Sequence, residues 1–200
     1  MKINDVYFNR FNVPIVSSPD PYRDSLIDDP VKIFIVVNYN WGIGHTGIVV
    51  GEGEDALLYD PSGGYSECPS RECYNNIEEL RAPRSSGEFF QYPEFNWDDY
   101  LSFQLWDGPD VQIIEFVVPR VQAEKIKELI FEHGGAGWAM CSETVFYILK
   151  DSGGIFNSLD KKIFFREDPW NFREKLIDLH YPKRGGGHFR CLLNLIFLSR

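Results

Sequence analysis

Cysteine, histidine and methionine are scarce in this chain of 200 residues, which has four, four and two of them. The cysteines, Cys68, Cys73, Cys141 and Cys191, lie too far apart along the chain to form a disulfide framework. The spacing of Cys68 and Cys73 leaves open a pairing in an oxidising compartment. It also approaches a zinc-ligand spacing, but no second pair or nearby histidine completes a tetrahedral set, so neither a metal nor another cofactor is expected. No apolar run reaches the roughly 20 residues needed to cross a bilayer. Met1–Arg10 lacks the basic-then-apolar order of a secretory signal, so the expectation is a protein made in the cytoplasm without a Sec-type signal and with no stable membrane insertion. Repeats and low-complexity segments are absent as well. Positive charge is in deficit, and a formal net charge of −10 argues against nucleic acid or an anionic membrane as partner.

What the chain does have is apolar and aromatic mass, 44% and 16% of its residues, enough for one substantial core and hence a single domain over residues 1–200. Residues 1–30 are polar and broken by prolines, and read as a surface arm. Val31–Val37 is a β-branched, nearly continuous apolar run, the pattern of a central strand buried on both faces. His45–Val50 and Ala56–Asp60 read as a hairpin about Gly51–Asp55. A two-residue loop centred on Glu52 and Gly53 would set His45 directly opposite Asp60. Residues 61–110 are the least regular part, with a short helix expected at Asn76–Leu80 and aromatic residues for a groove wall or the core. Val111–Val118 is a further strand, and Pro119 opens a helix to about Glu132 with Val121, Ile126, Leu129 and Ile130 on its buried side. Beyond residue 150, Pro169 starts another helix, and Cys191–Leu198 is a final buried strand or short helix.

The segment Gly134–Lys150 carries the chemistry. A glycine run is followed by Cys141 and an apolar helix in which Val145, Ile148 and Leu149 share a face. A thiol in the first turn of a helix meets unpaired N–H groups and the positive end of the macrodipole, which favour the thiolate and could also hold an oxyanion. A lone buried cysteine is also a common apolar filler. His45 supplies the base that a nucleophilic thiol needs, and Asp60 the carboxylate that would fix its tautomer, although a strand histidine and an Asp-Pro turn are each ordinary alone.

The order of Gly44-His45-Thr-Gly-Ile-Val-Val, Leu58-Tyr-Asp60, strand, helix, then Met140-Cys141-Ser142 at a helix start resembles the circularly permuted branch of the NlpC-type, papain-like cysteine hydrolases. The likeness covers residues 31–150, with residues 151–200 as an elaboration. It implies an α+β fold in which a central antiparallel sheet packs against the helix carrying the nucleophile. It further implies Cys141 as nucleophile, His45 as general base and Asp60 as the orienting residue. The family usually has Asp or Asn where this chain has Met140. Members of the superfamily cut amide bonds in cell-wall peptides, and permuted relatives include acyltransferases, lipases and toxins. The chain is similar to the small peptidoglycan-cleaving effectors injected by type VI secretion systems. That likeness implies an antibacterial amidase or peptidase acting in a target cell's periplasm, a peptidoglycan peptide as substrate, and a cognate immunity protein and a secretion component as partners. A thiol-dependent acyltransferase, deamidase or lipase of the same fold stands as one alternative, and a non-catalytic binding or adaptor domain with Cys141 in its core as another. Trp41 and Trp138 flank the reactive residues in sequence, and are expected either to wall the groove or to pack in the core.

Overall fold

A computed structural model describes residues 13–17, 26–39, 44–61, 65, 89–91, 95–106, 108–137, 140–160 and 168–181. Its strands are β1 (Ile15–Val16), β2 (Pro30–Asn38), β3 (His45–Val50), β4 (Leu57–Tyr59), β5 (Phe89–Gln91) and β6 (Val111–Pro119). Its helices are α1 (Trp97–Gln104), α2 (Arg120–His133), α3 (Cys141–Ser152) and α4 (Pro169–His180). The strands form one sheet in the order β1-β6-β2-β3-β4-β5. Every neighbouring pair is antiparallel except β1 with β6, so the sheet is mixed, and the expected antiparallel character holds for the five longer strands.

The apolar runs read as buried strands are covered on both faces, as continuous rather than alternating hydrophobicity requires. Ile33, Ile35 and Val37 of β2 face a layer built from Ile126 and Ile130 of α2, Val145, Phe146, Ile148 and Leu149 of α3, and Phe172 and Leu176 of α4. Phe34 and Val36 point the other way, into a smaller cluster with Phe95, Tyr65 and Tyr100 and Leu101 of α1. Each large apolar side chain removed from water in this way contributes roughly 1.5–3 kcal/mol. β2 is central, between β6 and β3, as its composition predicts.

Two expectations need correction. Val121 is 78% exposed, because the buried stripe of α2 runs through Ala123, Ile126 and Ile130 at helical spacing and Val121 lies off it. The β3–β4 connection is longer than a two-residue turn: a 3₁₀ turn at Gly53–Asp55 occupies it, and the pairs are Ile48 with Tyr59, Val49 with Leu58 and Val50 with Leu57. That register is displaced by two residues from the expected one. Asp60 therefore comes level with Gly47 rather than His45, and since side chains alternate with period two, His45 and Asp60 still share a face.

Candidate active site

The site forms at the end of the sheet where β3 begins and β4 and β2 finish. His45 is the first residue of β3, in register with Asn38, the last of β2. Gly44, with φ of +67°, delivers the chain to it in a conformation that favours glycine, and a Cβ there would lie 2.7 Å from the Asn38 carbonyl oxygen and 2.9 Å from Pro169. Alternation along β3 sends His45 and Gly47 toward the α1 layer and Thr46 toward the α3 layer. There the Thr46 and Ser142 hydroxyls hydrogen-bond at 2.7 Å. That contact ties the start of α3 to the strand carrying His45.

Asp60 is fully buried, and its carboxylate is hydrogen-bonded at both oxygens. Oδ1 meets His45 Nε2 at 2.6 Å and accepts from the Tyr100 hydroxyl at 2.8 Å, while Oδ2 accepts from the Tyr65 N–H at 3.4 Å. The reach from Asp60 to His45 is diagonal across the strand pair. It is open because the residue between them is Gly47, whose added Cβ would stand 3.2 Å from Asp60 Oδ1. With Nε2 engaged by the carboxylate, Nδ1 is the ring nitrogen left to face the Cys141 thiol, which lies near enough for each group to shift the other's pKa.

Cys141 opens α3. Met140, at the position before it, has no side-chain acceptor to cap the helix, so its side chain takes none of the first-turn N–H groups. The N–H groups of Thr46 and Ser142 lie near enough to the Cys141 sulfur to favour its thiolate. Packing through Val145, Phe146, Ile148 and Leu149, each fully buried, holds the helix in place without that cap.

The electrostatics follow from these contacts. Burial raises the thiol pKa, but the His45 hydrogen bond and charge, with the two backbone donors, outweigh it and bring Cys141 below the ordinary thiol value. For His45, burial favours the neutral ring, yet the Asp60 charge and hydrogen bond together with Cys141 carry its pKa well above the ordinary 6.5. Both shifts favour a thiolate beside an imidazolium. Cys141 is 5% exposed and the His45 side chain 17%, so both are largely withdrawn from solvent. Such an arrangement is suited to attack on a carbonyl followed by proton delivery to the departing group.

The structure therefore brings His45, Asp60 and Cys141 together. Trp41 and Trp138 lie outside the described residues, as do Cys68, Cys73, Cys191, the helix expected at Asn76–Leu80 and the strand or short helix expected at Cys191–Leu198. Among the described residues no group of three or more His, Cys, Asp or Glu side chains could hold a metal ion, and no helix is long and apolar enough to cross a membrane.

Tyr100 was not singled out by the sequence, which places it in an irregular aromatic passage. Its helix is announced by Asn96, whose side chain accepts from the N–H groups of Asp98 and Asp99 as an N-cap. That signal identifies the helix but not the partner of the tyrosine hydroxyl. Comparison with family models, with curated proteins and with solved structures finds no match to this chain.

Proposed function

We propose that the protein is a cysteine hydrolase of the permuted, papain-like kind that cuts an amide bond in peptidoglycan stem peptides, and that it acts as an antibacterial effector delivered to a target cell's periplasm. The observation that carries the enzymatic reading is the His45 imidazole 2.6 Å from the buried Asp60 carboxylate and near enough to the Cys141 thiol to favour its thiolate. The choice of substrate and the delivery by a specialised secretion system rest on the resemblance of the segments around Gly44-His45 and Met140-Cys141-Ser142.

In the reaction, the Cys141 thiolate attacks the amide carbonyl carbon and a tetrahedral oxyanion forms. Collapse breaks the carbon–nitrogen bond while the His45 imidazolium gives its proton to the leaving amine, and the acyl group remains on sulfur as a thioester. Neutral His45 then takes a proton from water. The resulting hydroxide equivalent attacks the thioester, and breaking the carbon–sulfur bond releases the acid and restores the thiolate. Asp60 holds the ring orientation through both stages and stabilises its charged form.

The test is incubation of purified protein with isolated peptidoglycan, with mass analysis of the soluble products. Fragments ending in a newly formed carboxyl and amine are expected, with Cys141→Ala and His45→Ala eliminating them and Asp60→Ala reducing them less. Absence of fragments from a folded protein whose Cys141 is rapidly alkylated would overturn the substrate and favour acyl transfer or deamidation. A Cys141 that stays inert until the protein unfolds would overturn the enzymatic reading and favour the binding domain.

A further inference from the structure

Asp60 is the link between the base and the rest of the fold that the sequence anticipates, and one constraint on its carboxylate is the Tyr65 N–H donated to Oδ2. The second constraint comes from α1. Its Tyr100 is fully buried in an otherwise apolar cluster, with its ring edge-on to Tyr65 and Phe95, and its hydroxyl donates to the same Asp60 oxygen that meets His45. One turn further along α1 lies Gln104, whose side-chain nitrogen is buried without a hydrogen-bond partner among the described residues. The Gln104 side-chain and backbone oxygens accept from the Asn38 side chain at 3.0 and 2.9 Å. Asn38 is the register partner of His45, so the chain of contacts returns to the residue beside the base. A short helix thus puts two polar side chains at i and i+4 into an apolar layer: Tyr100 reaches the imidazole through Asp60, and Gln104 holds the strand residue paired with His45.

The space for this is made by Gly47. A Cβ at that position would sit 2.1 Å from the Tyr100 hydroxyl oxygen, a distance that no real pair of such atoms adopts, and 3.3 Å from the ring carbon bearing it. Glycine is needed here for close approach rather than for an unusual backbone angle. A hydroxyl buried at the cost of a missing side chain on the facing strand calls for a reason beyond packing, since phenylalanine would fill the same volume.

We propose that Tyr100 is a positioning residue for the His45 base: its hydroxyl fixes the Asp60 carboxylate, and Gly47 exists to admit it. The proposal rests on the reading of His45 as general base. Tyr100 touches neither substrate nor sulfur and acts only through Asp60.

The experiment is a cycle of Tyr100→Phe, Gly47→Ala and the double variant, read by steady-state hydrolysis, by the rate of Cys141 alkylation with iodoacetamide, and by Tm. Losing a hydrogen bond to a charged acceptor should lower kcat about tenfold in Tyr100→Phe, with KM unchanged and alkylation slowed in parallel. Gly47→Ala should reproduce that loss by displacing the hydroxyl. In the Tyr100→Phe background it should add little, because the atom it collides with is gone. The proposal is overturned if Tyr100→Phe keeps the wild-type kcat and alkylation rate, if its loss of activity follows only its loss of folded protein, or if the two substitutions act additively. Should the protein release nothing from peptidoglycan, the alkylation cycle still decides the role of Tyr100, so failure of the substrate assignment and failure of this one are told apart.

Discussion

Replacing Asp60 by asparagine keeps the shape of the side chain and removes its charge, which makes it a direct probe of how the imidazole is held. In the wild type, Oδ1 stands 2.6 Å from His45 Nε2 and 2.8 Å from the Tyr100 hydroxyl, in a site with no solvent exposure. A hydrogen bond to a charged partner is worth about 1.5–3 kcal/mol and a neutral one about 0.5–1.5, so the imidazolium loses on the order of 1–1.5 kcal/mol of stabilisation. Each 1.36 kcal/mol is a factor of ten, so transfer of the Cys141 proton to His45 should become roughly tenfold less favourable. The assay is iodoacetamide labelling followed by intact mass over a range of pH, with Cys141→Ala to subtract the other three cysteines. Asp60→Asn should label about tenfold more slowly near neutrality, with the onset of labelling moved to higher pH by about one unit. The amide also leaves one of three donors facing its NH₂ group, so a stability loss of about 1–3 kcal/mol should accompany the change without unfolding the protein. Identical labelling profiles in the two proteins would refute the argument that the Asp60 charge supports the base.

Three further outcomes are expected. Thr46→Val deletes the 2.7 Å hydroxyl contact with buried Ser142, and chemical denaturation should report a loss of about 1–3 kcal/mol, with slower alkylation of Cys141 as α3 loosens from β3; an unchanged midpoint would contradict the tie. Gly44→Ala meets both a positive φ and a contact of 2.7 Å with backbone, so Tm should fall by more than the usual surface substitution causes, and a neutral result would mean that the turn into His45 relaxes freely. The folded pKa of His45 lies above its ordinary 6.5, so the stability from its charged form is complete below pH 6.5 and is lost as pH rises through the folded value. In urea melts, the stability gap between wild type and Asp60→Asn should therefore narrow as pH climbs through that value. A gap that widens over the same interval would reverse the sign of the coupling.

How much of this could be read from the residues varies with the element. β2, β6 and α3 were legible because long apolar runs and a repeated helical spacing leave few alternatives for where such side chains can go. Capping chemistry marked Asp168 and Pro169 for α4, where the Asp168 side chain accepts from the Asn171 N–H. The hairpin was legible in outline but not in register, because nothing in Gly51–Asp55 distinguishes a tight turn from the 3₁₀ turn it forms. The meeting of His45 with Asp60 survived the error since a slip of two preserves the face. α1 was missed: eight residues give too few turns for periodicity, and its buried set, Tyr100, Leu101 and Gln104, is two-thirds polar-tipped. β1 and β5 have two and three residues and take their places from their neighbours. A partnership such as Tyr100 with Asp60 is a property of the packed layers, and no local pattern encodes it.

The thiol and its base come from opposite sides of the sheet: Cys141 from the helix on one face, His45 turned toward α1 on the other. They meet around the rim of the sheet, so the docking of α3 on β3 is what brings the sulfur to the imidazole. Before that packing forms, Cys141 lacks the imidazole that favours its thiolate. The environment that favours the thiolate is thus a product of tertiary packing and not of the helix alone.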